Sequence, residues 1–145
     1  MSEGAIVDRV LEGSEIWLDG GHNPAAGSVV ASALADLEER VERPLFMITG
    51  MLNTKEPVGY FKPFADLVRH CYTVPLANTP NAIDPEDLAA FANEAGVPAE
   101  SVDSVEGALD QLSQNWEYDR PPRILIGGSL YLVGEVLERN GTPAD

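Results

Sequence analysis

Short apolar runs alternate with stretches of helical period along most of this chain, and that alternation restricts the fold more than any other feature. Glu15 to Asp19, Leu45 to Thr49, Cys71 to Val74 and Arg123 to Ile126 read as buried strands, and Ala99 to Asp103 as a brief edge strand. Between them, Pro24 to Val41 repeats Ala26, Val30, Leu34, Leu37 and Val41 at spacings of three and four, which predicts an amphipathic helix. Pro57 to Arg69 has helical spacing with Pro63 inside it, so a break is expected there. Asp84-Pro85-Glu86-Asp87 is a helix start with cap, proline and first-turn acids in order, and Gly96 is its expected stop. Ser104 can cap a further helix, and Leu130 to Asn140 a last one, closed by Gly141. Parallel neighbours need crossover connections, so the pattern predicts an α/β, Rossmann-like fold: a mainly parallel sheet with helices on both faces.

Two of the strand ends share a device. After Ile16-Trp17-Leu18, the run Asp19-Gly20-Gly21-His22-Asn23-Pro24 turns sharply and opens a helix, with Asn23 as cap and Pro24 at the first helical position. After Arg123-Ile124-Leu125-Ile126, Gly127-Gly128-Ser129 does the same with a hydroxyl cap. Both elbows place polar groups beside a helix N-terminus, where backbone donors favour an anion. Ligands of parallel α/β sheets sit beyond the carboxyl ends of the strands. Asp19 to Asn23, Thr49 to Lys55, the loop around Asn78, and Gly127 to Ser129 all follow strands and are expected on that one edge.

Length and charge narrow the function. The 145 residues suffice for one domain, with 1–14 a lead-in or linker remnant, 15–141 the folded unit and 142–145 a tail. No run approaches the roughly 18 apolar residues of a bilayer span, and the acidic start lacks a signal-peptide pattern, so a cytoplasmic protein is expected. The net charge of −15 argues against nucleic acid and anionic membrane as partners. Cys71 has no partner for an internal disulfide and reads as a buried thiol.

No complete catalytic set is visible. Neither glycine pair matches Gly-x-Gly-x-x-Gly, and the chain has no Gly-x-x-x-x-Gly-Lys-Ser/Thr phosphate loop. Asp19 and His22 lack a third ligand at recognisable spacing, so no metal site is assigned. A Ser129-centred triad would need His22 and Asp19 too close in sequence for the usual geometry. His70 precedes a strand and belongs on the opposite edge. For Asp19, Asn23 and Ser129 the plain alternative is a satisfied turn or cap, and for Lys55 a solvated loop cation. His22 has no apolar face to fill.

Leu18-Asp19-Gly20-Gly21-His22-Asn23-Pro24 resembles the Asp-Gly-Ala-His-Asn-Pro signature of the folylpolyglutamate synthase and dihydrofolate synthase family, with Gly21 in place of the usual alanine. Gly50-Met51-Leu52-Asn53-Thr54-Lys55-Glu56 looks like that family's Lys-Asp loop, and Gly128-Ser129-Leu130-Tyr131-Leu132 its closing Gly-Ser-Leu-Tyr motif. The three motifs, in order over roughly Glu15 to Leu137, are similar to the C-terminal domain of these Mur-type ligases. The resemblance implies an ATP-dependent amide ligation in which a pterin or folate carboxylate is phosphorylated, with Mg2+, and the L-glutamate amine attacks the acyl phosphate. It implies that Asp19 and Asn23 meet ATP, that Lys55 and Ser129 hold glutamate, and that His22 lies at the reaction centre beside the glutamate. It further implies that ATP and Mg2+ are bound mainly by the family's N-terminal ATPase domain, which these residues lack. Met1 would then open a fragment that is inactive alone. Family members carry a nucleotide-binding arginine before the Asp-Gly signature; Arg9 stands nearby in a different context, and the role is not transferred to it. The rival expectation is a non-catalytic Rossmann-like ligand-binding or interaction module. A cell-wall Mur ligase is disfavoured because His-Asn-Pro belongs to the folate branch.

Overall fold

A computed structural model describes residues 14–53, 56–76, 79–114 and 120–140. Five strands, β1 (Glu15–Asp19), β2 (Leu45–Thr49), β3 (His70–Thr73), β4 (Ala99–Ser101) and β5 (Arg123–Gly127), form one sheet in the order β1-β5-β2-β3-β4. Every pairing between them is parallel. The helices are α1 (Pro24–Arg40), α2 (Pro57–Phe61), α3 (Pro85–Glu94), α4 (Val105–Gln114) and α5 (Leu130–Asn140). The expected α/β architecture is therefore present, and it is wholly parallel among the described strands.

The period-two alternation of the strands divides the core. Leu45, Met47, Cys71 and Leu125 face a layer made by α1, α2 and α3, with Leu34, Tyr60, Phe61, Phe64 and Leu88 buried in it. Phe46, Ile48, Tyr72, Ile124 and Ile126 face Val105, Leu109 and Leu112 of α4 and Leu132 and Val136 of α5. Each such side chain contributes about 1.5–3 kcal/mol on burial, so the two central strands, β2 and β5, carry much of the stabilisation. Cys71 is fully buried against Thr49, and burial pushes its thiol up to about 12, as befits an inert core residue.

Local chemistry sets the element ends. Asn23 Oδ1 accepts from the Ala26 N–H at 2.8 Å and Asp84 Oδ1 from the Glu86 N–H at 2.8 Å, each followed by the expected proline. Ser104 Oγ accepts from the Gly107 N–H at 2.9 Å. The stretch after Pro57 gives one helical turn and then a 3₁₀ turn, Lys62–Phe64, in which Pro63 sits, in line with the expected break. Two details differ from the sequence pattern. β1 is half-buried along its whole length because it forms an edge of the sheet. The buried stripe of α1 is Gly27, Ala31 and Leu34, with Val30 and Leu37 at its margin and Val41 exposed. The stripe is rotated because Gly27 faces the Tyr60 backbone: a Cβ at position 27 would stand 2.5 Å from the Tyr60 carbonyl oxygen.

Candidate functional site

β5 lies between β1 and β2, and the helix that follows β5 goes to the opposite side of the sheet from the helices that follow these two neighbours. α1 and α2 leave toward one face, α5 toward the other. The carboxyl end of β5 is thus flanked on both sides by a switch point, the place where such sheets open a crevice. The register aligns Asp19 with Gly127 and Gly127 with Thr49, so the two elbows and the end of β2 stand side by side.

Two glycines let them stand that close. A Cβ on Gly127 would come within 2.9 Å of the Asp19 carbonyl oxygen. Gly128 has φ +100°, and a Cβ there would be 2.7 Å from Thr49 Cγ2 and 2.9 Å from Met51 Cγ. Around this crossing Gly20, His22, Leu52, Gly128, Ser129, Leu130 and Tyr131 line a cavity of about 100 Å³. The drug-sized ligand pockets of proteins run to roughly 300–1,000 Å³, so this is a notch able to hold one end of a ligand.

Asp19 Oδ2 accepts from the Gly21 N–H at 3.2 Å, which folds the carboxylate back over its own turn. Asn23 serves α1 as its cap. Ser129 is buried, and its Oγ accepts from the Tyr131 N–H at 3.0 Å; its own hydrogen remains a donor. His22 is exposed and makes no hydrogen bond to another described residue. Lys55 and Asn78 lie outside the described residues. The first-turn donors not taken by the two cap side chains or by backbone are those of Ala25 in α1 and of Leu130 and Leu132 in α5. Both helix starts therefore keep donors for an anion although their caps are satisfied. Among the described residues no three His, Cys, Asp or Glu side chains form a metal-ligand set.

Sequence reasoning brought His22, Asp19 and Ser129 to one edge, and the structure places them there. It missed the wall made by Leu52, Leu130 and Tyr131, of which Leu130 and Tyr131 are exposed at 76% and 59%. It also missed a larger cavity, about 650 Å³, on the α1 flank, lined by Pro24, Asn53, Glu56, Pro57, Val58, Gly59, Lys62 and Phe91. Which residues gather around Phe91 depends on tertiary packing.

A family model described as dihydrofolate synthetase, C-terminal domain, matches residues 6–139. The chain belongs to this family. Among solved structures, it is similar to folylpolyglutamate synthase of Mycobacterium tuberculosis complexed with ADP and AMPPCP, at 23% identity over 90% of this chain and 30% of that one, with a TM-score of 0.75. A bifunctional folylpolyglutamate synthase/dihydrofolate synthase of Yersinia pestis, complexed with AMPPNP and Mn ion, is 26% identical over 90% of this chain and 30% of its own, with a TM-score of 0.67. A bifunctional enzyme of the same description was solved with Mn, AMPPNP and L-glutamate bound, and is 26% identical over 83% and 28%, with a TM-score of 0.63. No curated protein matches. This dihydrofolate synthetase C-terminal domain spans about 30% of the length of those solved relatives. None of its described helices is long and apolar enough to cross a membrane.

Proposed function

We propose that this domain supplies one wall of the active site of a cytoplasmic, ATP-dependent ligase that joins L-glutamate to dihydropteroate or a folate. The observation that carries the reading is the crossing of the two glycine elbows, which sets Asp19 in register with Gly127, beside a notch that His22 and Ser129 line and that is too small for either substrate alone. Such a wall works against a second one, and the family's N-terminal ATPase domain is the natural source of it.

In this reading Asp19 accepts from ribose hydroxyls of ATP, beside the α1 start that Asn23 caps. Hydroxyls suit a carboxylate, which would repel the phosphates. The glutamate lies toward α5, where the Ser129 hydroxyl and the first-turn donors take a carboxylate, with Lys55 as the cation. His22, exposed between the two, lies beside the bond to be formed and orients the glutamate amine. Holding that amine against an acyl phosphate is the main catalytic service of such a domain. ATP, when bound, activates the acceptor carboxylate by phosphorylation. In this reading the Mg2+ that accompanies it is held mainly by the family's N-terminal ATPase domain.

The 145 residues alone are expected to release no ADP in the presence of glutamate and acceptor. Joined to the ATPase domain, they should do so with dihydropteroate, with tetrahydrofolate, or with both. His22→Ala should then lower kcat by about tenfold or more, and Asp19→Asn should raise the KM for ATP. Unchanged turnover in His22→Ala would remove His22 from the reaction centre, and unchanged KM in Asp19→Asn would remove Asp19 from the nucleotide.

A further inference from the structure

Tyr60 lies in the middle of the α1–α2–α3 layer, fully buried, with its ring edge-on to Phe61 at 5.4 Å and tilted against Phe64 at 5.7 Å. A phenylalanine would satisfy all of that packing. Its Oη is the one buried side-chain polar atom without a partner among the described residues. An unpaired buried hydroxyl costs about 1–3 kcal/mol, so packing gives no reason to keep it.

The place where the hydroxyl ends is informative. A Cβ on Gly127 would stand 3.3 Å from Tyr60 Oη and 2.9 Å from the Asp19 carbonyl oxygen, so the hydroxyl reaches the gap that this glycine leaves between Asp19 and Thr49. Asp19 shares its strand face with Trp17, which packs on the same layer as Tyr60. Burial first, and then the Asp19 charge, push the Tyr60 phenol above its usual range, so the hydroxyl stays protonated and is a donor. One Asp19 oxygen, Oδ2, is engaged by the Gly21 N–H; the second has no hydrogen bond to a described residue.

We propose that Tyr60 is a positioning residue whose hydroxyl donates to the second oxygen of Asp19 from beneath, fixing the direction of that carboxylate at the end of β1. Its consequence for catalysis rests on Asp19 meeting the nucleotide, as set out above. A small turn of the Asp19 side chain completes the bond, because the phenol itself is clamped by the two aromatic rings. The carboxylate is then held by a backbone donor above and a phenol below.

The test is a carboxyl titration of the 145-residue chain carrying 13C-labelled aspartate, with Asp19→Asn to assign the signal. A donor to the charged form depresses a carboxyl, so Tyr60→Phe should move the Asp19 midpoint up by about half a pH unit or more. A second measurement needs no variant at position 60: in otherwise unaltered chain the Tyr60 13Cζ signal should move with the Asp19 midpoint. A packing role would leave the Asp19 midpoint unmoved in Tyr60→Phe, and that outcome, or a Tyr60 signal indifferent to Asp19, overturns the inference. Neither readout involves nucleotide. A shifted midpoint with unchanged KM for ATP in Asp19→Asn would sustain Tyr60 as the partner of Asp19 and sink the nucleotide reading instead.

Discussion

At the amino end of the sheet Arg123 is buried and its charge is met from several sides, whereas at the carboxyl end His22 and Ser129 line a notch and Asp19 ends the neighbouring strand, with no ion pair among the described residues to close them off. Arg123 Nε lies 3.0 Å from Glu15 Oε1, one Nη 3.6 Å from Glu38, and the other donates to the Val41 carbonyl at 3.5 Å. Glu15 also accepts from Trp17 Nε1 at 2.6 Å and faces Arg43 at 3.9 Å. These groups pin β1, β5 and the end of α1 together. The carboxyl end has glycines where the other has side chains, and donors where the other has closed pairs. One end of the sheet stabilises the domain, and the other keeps its polar groups available.

If that division is right, substitutions at the two ends should separate stability from binding. The largest loss of stability is expected for Arg123→Ala, which strips a buried stem and takes from Glu15 and Glu38 the buried cation they share. About 3 kcal/mol is expected, discounted from a fully buried pair because Glu15 and Glu38 are each about one-third exposed. Urea unfolding would measure it, and a loss under 1 kcal/mol would show that the cluster is not the clamp described. Gly128→Ala should cost about 2 kcal/mol from a positive φ and the contact with Thr49 and Met51, and should also disturb the notch. It is expected to move both properties. Ser129→Ala removes a cap and should cost about 1 kcal/mol in the same unfolding measurement, while weakening glutamate capture in the joined enzyme.

The smallest effect concerns pH. Burial alone would raise the Glu15 carboxyl, but the hydrogen bonds from Trp17 and Arg123 and the charges of Arg123 and Arg43 overcome it and hold the group below its ordinary 4.5. A carboxyl lowered on folding contributes stability that is present above its unfolded value and is lost as pH falls through the folded one. Glu15→Gln should therefore be less stable than the parent at neutral pH. The two should converge as pH drops below about 4. Parallel stability curves across that range would show that Glu15 is not held by its neighbours.

The sequence was readable where one residue decides the outcome locally. Asn23, Asp84, Ser104 and Ser129 act as caps because a short polar side chain beside orphan N–H groups has few other options. Apolar runs found their strands for a similar reason. What escaped depended on which elements meet. That β1 is an edge follows from strand order, which no periodicity encodes. The rotation of α1 follows from Gly27 against Tyr60, an approach between two segments that neither segment's own pattern encodes. Of the site, the elbows were legible because each carries its own turn and cap. Leu52 and Tyr131 were not, since they join the notch by adjacency across the sheet.

The order β1-β5-β2 also bears on how the molecule is made. Among the described strands β1 has one neighbour in the sheet, and that neighbour comes latest of the five in chain order. Until residues 123–127 emerge, β2, β3 and β4 can pair with one another, but the edge of β2 is bare and β1 has nothing to join. Asp19 and Ser129 come to one edge only once β5 has joined β1. A nascent chain halted before β5 would display sticky strand edges and no notch at all.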